Sequence, residues 1–215
     1  MSRILGWLAA LGLAAGLVMA FGVAPREATQ GNVQRIMYLH VPTVLVAYLA
    51  FAVVLVASIA YLWRRDPAAD RVAHASAEVG VLFTGLTIAA GAIWGKPTWG
   101  TWWTWDARLT SVAILFVMYL GYLLLRGMID DHDRSARFAA VVGIVAALNM
   151  PLVHFSVYWW RTLHQPPSIL RPGASALPTV FWRVVLVHLV AFALLYLYFV
   201  VKRTRLLARE VEAVP

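Results

Sequence analysis

No cysteine occurs among the 215 residues. That absence excludes disulfides, thiolate metal ligands, covalent attachment of a prosthetic group through Cys-x-x-Cys-His, and cysteine nucleophiles. Charge is scarce as well: 13% of residues are Asp, Glu, Lys or Arg, about half the share found in an ordinary soluble domain. Only ten residues are acidic, and they form no paired-carboxylate site. Neither a nucleophile beside its base nor a phosphate-cradling loop is present, and the Gly-rich stretches read as helical packing positions. Any metal must use His, Met or carboxylate.

What the chain has in abundance is apolar surface, 62% of its residues. Six apolar runs are near the roughly 20 residues a helix needs to cross hydrocarbon, and with their caps they predict spans over 4–24, 41–63, 76–95, 107–125, 138–160 and 180–201. Helix is the expected form, because an isolated strand would leave its backbone unsatisfied in lipid and no run alternates as a barrel strand would. The fold expected is an all-α integral membrane protein, a bundle of six transmembrane helices forming one domain over 1–215. Ser76 and Asp106 are candidate caps for the third and fourth helices. The first run is too long for a signal-peptide core and is read as a retained span. Two small-xxx-small patterns, Gly12 to Gly16 and Gly91 to Gly95, allow helices to approach closely.

The net charge of +8 belongs to span flanks, with no basic domain to hold nucleic acid. Eleven Lys and Arg fall at the N-terminus, 64–77, 126–137 and the tail from Lys202, against seven in the alternate loops. The positive-inside rule then makes both termini cytoplasmic. This parity gathers Trp94, Trp99, Trp102, Trp103, Trp105, Trp159, Trp160 and Trp182 on the outer face, leaving Trp7 and Trp63 at the inner one. An anchoring belt would populate both interfaces, so the asymmetry favours a binding surface. Five of these tryptophans sit in the short interval 94–106, around Gly95, Pro97 and Gly100.

His40 and His164 fall on the same face, on different loops, whereas His74 and His132 lie among charged neighbours at the other. Neutral imidazole is a natural iron ligand where thiolate is absent. A pair on opposite sides of one iron would hold a porphyrin between loops one and five, and indole stacks on such a plane. Arg35, Lys96, Arg108 and Arg161 are candidate propionate contacts, with interface snorkelling as their alternative role. Asp106 can cap the fourth helix, pair with Arg108 or Lys96, or contact a ligand. Asn149, Pro151 and His154 make a polar, kink-prone stretch in span five, and Arg183 and His188 bring polarity into span six; His154 and His188 are further candidates for a haem or substrate role.

Three segments carry a family resemblance: Trp-Gly-Lys-Pro-Thr-Trp-Gly-Thr-Trp-Trp-Thr-Trp-Asp-Ala-Arg-Leu-Thr from Trp94 to Thr110, Tyr38-Leu39-His40-Val41-Pro42, and Tyr158-Trp159-Trp160-Arg161-Thr162-Leu163-His164-Gln165. Together they resemble the CcmC family, haem-handling subunits of the bacterial cytochrome c maturation system that carry the tryptophan-rich WWD segment. The resemblance implies a multi-pass protein of the bacterial inner membrane that binds haem b non-covalently at its periplasmic face. It implies axial ligation by His40 and His164 and haem contact by Trp99, Trp102, Trp103, Trp105 and Asp106. It also implies loading of the periplasmic chaperone CcmE, in company with CcmD and the ATP-binding cassette subunits CcmA and CcmB. That is haem transfer, not catalysis in the usual sense. Two other readings remain open on the residues alone: a cytochrome b subunit in quinone-linked electron transfer, and a haem-free permease component.

Overall fold

The computed structural model describes residues 2–167, 169, 173 and 177–212. These residues form helices and connecting turns, with no strand among them. Six helical stretches are long and apolar enough to cross a membrane. The first is α1 (Ser2–Val18), which continues through a wider π-helical turn over Met19–Val23. A 3-10 turn at Val33–Ile36 leads into α2 (Met37–Arg64), followed by α3 (Pro67–Trp99) and α4 (Ala107–Met128). The fifth crossing is made by two helices in line, α5 (His132–Ala147) and α6 (Asn149–Trp159), and the sixth by α7 (Thr179–Glu212).

Local chemistry sets these boundaries. Asp66 Oδ1 accepts from Ala68 N at 2.8 Å with Pro67 as the first helical residue, and Asp131 Oδ1 accepts from Arg134 N at 2.8 Å. Both are side-chain caps that satisfy an orphan N–H of the first turn. The third helix therefore begins at Pro67, earlier than the apolar pattern suggests, and Ser76 is not its cap. Ser76 is buried mid-helix, donating to Ala50 O at 3.0 Å and sharing a 2.6 Å hydrogen bond with Tyr196. Asp70, Arg71 and His74 are too polar for a hydropathy reading, yet they occupy helix turns. At its other end α3 runs to Trp99, so Trp94 to Trp99 are helical and not loop, and Gly100 stops the helix with φ 79° and its N–H on Lys96 O. Pro151 offers no N–H to the preceding turn. The chain breaks at Leu148, and Asn149 Nδ2 donates across to Ser111 O at 2.8 Å.

Helix α2 sits centrally, packed on α3, α5 and α7, while α1 packs along α7. The core is carried by alanine, valine and aromatics, with the Phe51 and Tyr119 rings stacked at 3.7 Å between α2 and α4. Small residues let helices approach where no side chain would fit: a Cβ on Gly16 would lie 2.6 Å from the His188 ring of α7. The loop end holding the starts of α2 and α4 and the ends of α3 and α6 is where the tryptophans and the two candidate histidines converge.

Candidate functional site

Each candidate ligand is placed by a different kind of element. His40 lies one turn into α2, 8% exposed, and its Nδ1 is 3.1 Å from Thr87 O on α3. A carbonyl oxygen only accepts, so Nδ1 must donate, and Nε2 is left as the bare lone pair. Thr87 is itself held, donating from its hydroxyl to Thr43 Oγ1 at 3.0 Å, and Thr43 donates to His40 O at 2.8 Å. The neighbouring helix comes this close because residue 91 is glycine: a Cβ there would be 3.0 Å from His40 Cε1.

His164 stands in the connection after α6. Its Nδ1 is 3.1 Å from Gln165 O, so the same tautomer follows and Nε2 again carries the lone pair. Burial, and then the charge of Arg108, push its pKa below the ordinary histidine value, which keeps the ring neutral. Two contacts fix the segment. Leu163 N donates to Asp106 Oδ2 at 3.0 Å, and the Trp99 ring lies 5.6 Å from the His164 ring. Asp106 meanwhile caps α4 through Oδ1, which accepts from Leu109 N at 2.9 Å. One carboxylate thus joins the start of α4 to the histidine loop.

Both imidazoles line one cavity, part of it open to solvent. Val112, Leu115 and Val153 give it apolar walls, and Trp94, Trp99 and Trp103 give it indole faces. A second lobe of about 670 Å³ shares His40, Tyr48, Trp94, Arg108 and His164 with the first and extends to His154. The Trp94 ring meets His40 edge-on at 5.7 Å, and its Nε1 donates to Gln30 Oε1 at 2.8 Å. Among the described residues the Tyr48 hydroxyl and Trp103 Nε1 are buried without a hydrogen-bond partner, a condition that costs free energy unless a ligand relieves it. The donor set fits an iron porphyrin: two neutral imidazoles, indole walls, and polar donors with Arg108 for the carboxylates.

The remaining candidates are dispersed. Trp102 and Trp105 point away from the cavity, 57% and 79% exposed, with Trp105 edge-on to Trp103 at 5.5 Å. Arg108 lines both lobes and donates to His154 O at 3.4 Å. Arg35 is spent elsewhere: its guanidinium donates to Ala20 O and Ala24 O at the end of the first span and covers the Phe21 ring. Lys96 donates to Gly100 O at 3.0 Å, and exposed Arg161 does not line the cavity. His188 is fully buried between α7 and α1 with Nδ1 on Val184 O, lining a different cavity. The sequence places Trp94 on the tryptophan-rich face without a role of its own, and gives no sign of Tyr48, Thr87 or Gln30 as site residues. The Gly91 spacing was visible, but only as a packing pattern.

The CcmC family, described as heme exporter protein C, matches residues 1–214. Heme exporter protein C of Bradyrhizobium diazoefficiens is 45% identical over 99% of this chain and 82% of that relative. The protein of the same name from Haemophilus influenzae is 36% identical over 96% of this chain and 84% of its own length. A putative cytochrome c biosynthesis ccmC-like mitochondrial protein of Marchantia polymorpha is 36% identical over 90% of this chain and 82% of its own. With the match spanning nearly every residue, this chain belongs to the CcmC family of heme exporter protein C.

Proposed function

We propose that this protein handles haem for cytochrome c maturation: it binds haem b non-covalently with His40 and His164 as axial ligands and presents it to the periplasmic chaperone CcmE. The observation that carries this reading is a single cavity lined by two imidazoles, each with Nδ1 engaged by a backbone carbonyl and Nε2 free. Support also comes from relatives named for haem export and for cytochrome c biosynthesis.

In this reading haem is cargo, and the residues hold and offer it. His40 and His164 take the iron; two imidazoles fill both axial positions, which suits retention and transfer over oxygen activation. Trp94, Trp99 and Trp103 supply surface for the macrocycle, and Arg108 with Tyr48 and Trp103 Nε1 supplies donors for propionates. Trp102 and Trp105, turned outward, are available to the chaperone. The charge bias of the loops supports a periplasmic location for this end, with both termini in the cytoplasm of an inner-membrane protein. CcmD and the ATP-binding cassette pair CcmA and CcmB are the expected companions. A quinone-linked cytochrome b is less well served, since it calls for ligands buried in facing spans, and fully buried His188 lines another cavity.

The test is absorption spectroscopy of the purified protein, with and without the chaperone. His40→Ala and His164→Ala are expected to lose most of the bound haem and of chaperone loading. Haem content equal to the native chain in both variants would sink the assignment.

A further inference from the structure

At the opposite end of the bundle, the α2–α3 turn, the start of α5 and the end of α7 enclose a cavity of about 1,210 Å³, part of it open to solvent. Its three lining carboxylates are already paired. Asp70 takes a bidentate pair from Arg126, Asp133 accepts from Arg137 and from the Tyr61 hydroxyl, and Glu210 pairs with Arg203 at 2.8 Å. Of the lining cations, Arg126 and His74 are paired, with Asp70 and Glu78, and Arg71 is not. Arg71 makes no hydrogen bond or ion pair with any described residue, and its Nε is buried; Nε of Arg126 is also buried without a partner. Arg65 lies over the Tyr61 ring at 5.9 Å.

A buried guanidinium nitrogen without an acceptor is costly. Backbone conformation adds to the picture, since Arg65 is the one non-glycine with positive φ among the described residues, at 55°. A left-handed backbone is strained for a residue with a side chain, and Arg65 joins α2 to α3 at the rim of the cavity. The first turns of α3 and α5, at Pro67 and His132, also border it, and helix N-termini carry partial positive charge. Exposed Trp63, with the Arg64 guanidinium 5.6 Å from its ring, marks the headgroup level at this end. Leu207 and Ala136 add apolar lining.

We propose that this cavity binds a phosphate group through Arg71 and Arg65, and that the phosphate is the headgroup of an anionic phospholipid. Basic pockets between spans on the cytoplasmic side suit such headgroups. The Arg71 guanidinium then gains the charge-assisted acceptor it lacks, and exposed Arg65 adds a second cation at the rim. The site is independent of the haem cavity at the other end.

The experiment uses the full chain, delipidated in detergent, with native mass spectrometry against phosphatidylglycerol and phosphatidylethanolamine. The native protein is expected to hold phosphatidylglycerol about tenfold more tightly. A double variant, Arg65→Gln with Arg71→Gln, is expected to lose that preference, while Arg209→Gln on the exposed tail keeps it. Circular dichroism checks that the double variant retains its helices. Equal binding of both lipids, or a folded double variant that keeps the preference, overturns the proposal. Inorganic phosphate is titrated in parallel. If millimolar phosphate binds in an Arg71-dependent way and displaces phosphatidylglycerol, the anion site stands and its lipid source is overturned.

Discussion

Gly91 and Thr87 decide how His40 is presented, although neither is an iron-binding side chain. The Thr87 carbonyl fixes the tautomer, and the missing side chain at 91 leaves room for the ring. Replacing Gly91 by Ala puts a methyl 3.0 Å from Cε1 and must tilt the imidazole or part the helices. Loss of such outer-shell support typically costs about 10–100-fold in metal affinity. Gly91→Ala is therefore expected to lower haem affinity by at least about tenfold without unfolding the bundle, read from a haem titration beside circular dichroism. His164 yields a pH prediction. Protonation removes the lone pair, so haem is lost as pH falls through the pKa of the ligand; because burial and Arg108 push that value down, loss from the His164 side is expected below the usual histidine value of about 6.5. An absorbance titration with a midpoint above that value would contradict it. At this scale the sequence was informative about identity and less so about environment: both histidines could be singled out from their loops, but the commitment of Arg35 to the carbonyls of Ala20 and Ala24 depends on a chain fold-back that no local pattern encodes.

Helix ends carry the site, and Asp106 is the end where fold and function share a side chain. One oxygen caps α4 and the other holds Leu163, next to the histidine. Asp106→Ala is expected to cost about 1 kcal/mol of stability through the lost cap and to weaken haem binding by freeing the loop. Asp106→Asn keeps an acceptor for the cap and is expected to retain more of both. Thermal unfolding paired with haem titration separates the two roles. The apolar pattern was a fair guide to the number of spans and to the cap at Asp106. It was a poor guide to where α3 starts and stops, because Asp70, Arg71 and His74 at one end and Trp94 to Trp99 at the other are helical on grounds of capping and packing, which hydropathy does not register. The break at Leu148 was legible in Asn149 and Pro151 as a kink.

Across the whole molecule, the two ends of the bundle differ in chemistry: indoles, imidazoles and an apolar cavity at one, paired charges and arginines at the other. Because the chain has no cysteine, single cysteines report sidedness without background. Pro166→Cys is expected to react with a membrane-impermeant maleimide from the periplasm, and Asp130→Cys and Arg205→Cys only after the membrane is opened. The reverse pattern would invert the topology and the proposed function with it. The supports of the two histidines differ as well. His40 is built into a 28-residue helix, whereas His164 is carried on an irregular segment held, among the described residues, by the Leu163 N–H on Asp106, the Thr162 hydroxyl on the His164 carbonyl and the tilted Trp99 ring. Two ligands so unequally mounted have unequal lifetimes on a shared metal, so in the proposed function the order of release is written into the scaffold. On that proposal the segment bearing His164 would be the first to yield, and His40 on α2 would be the residue that keeps hold.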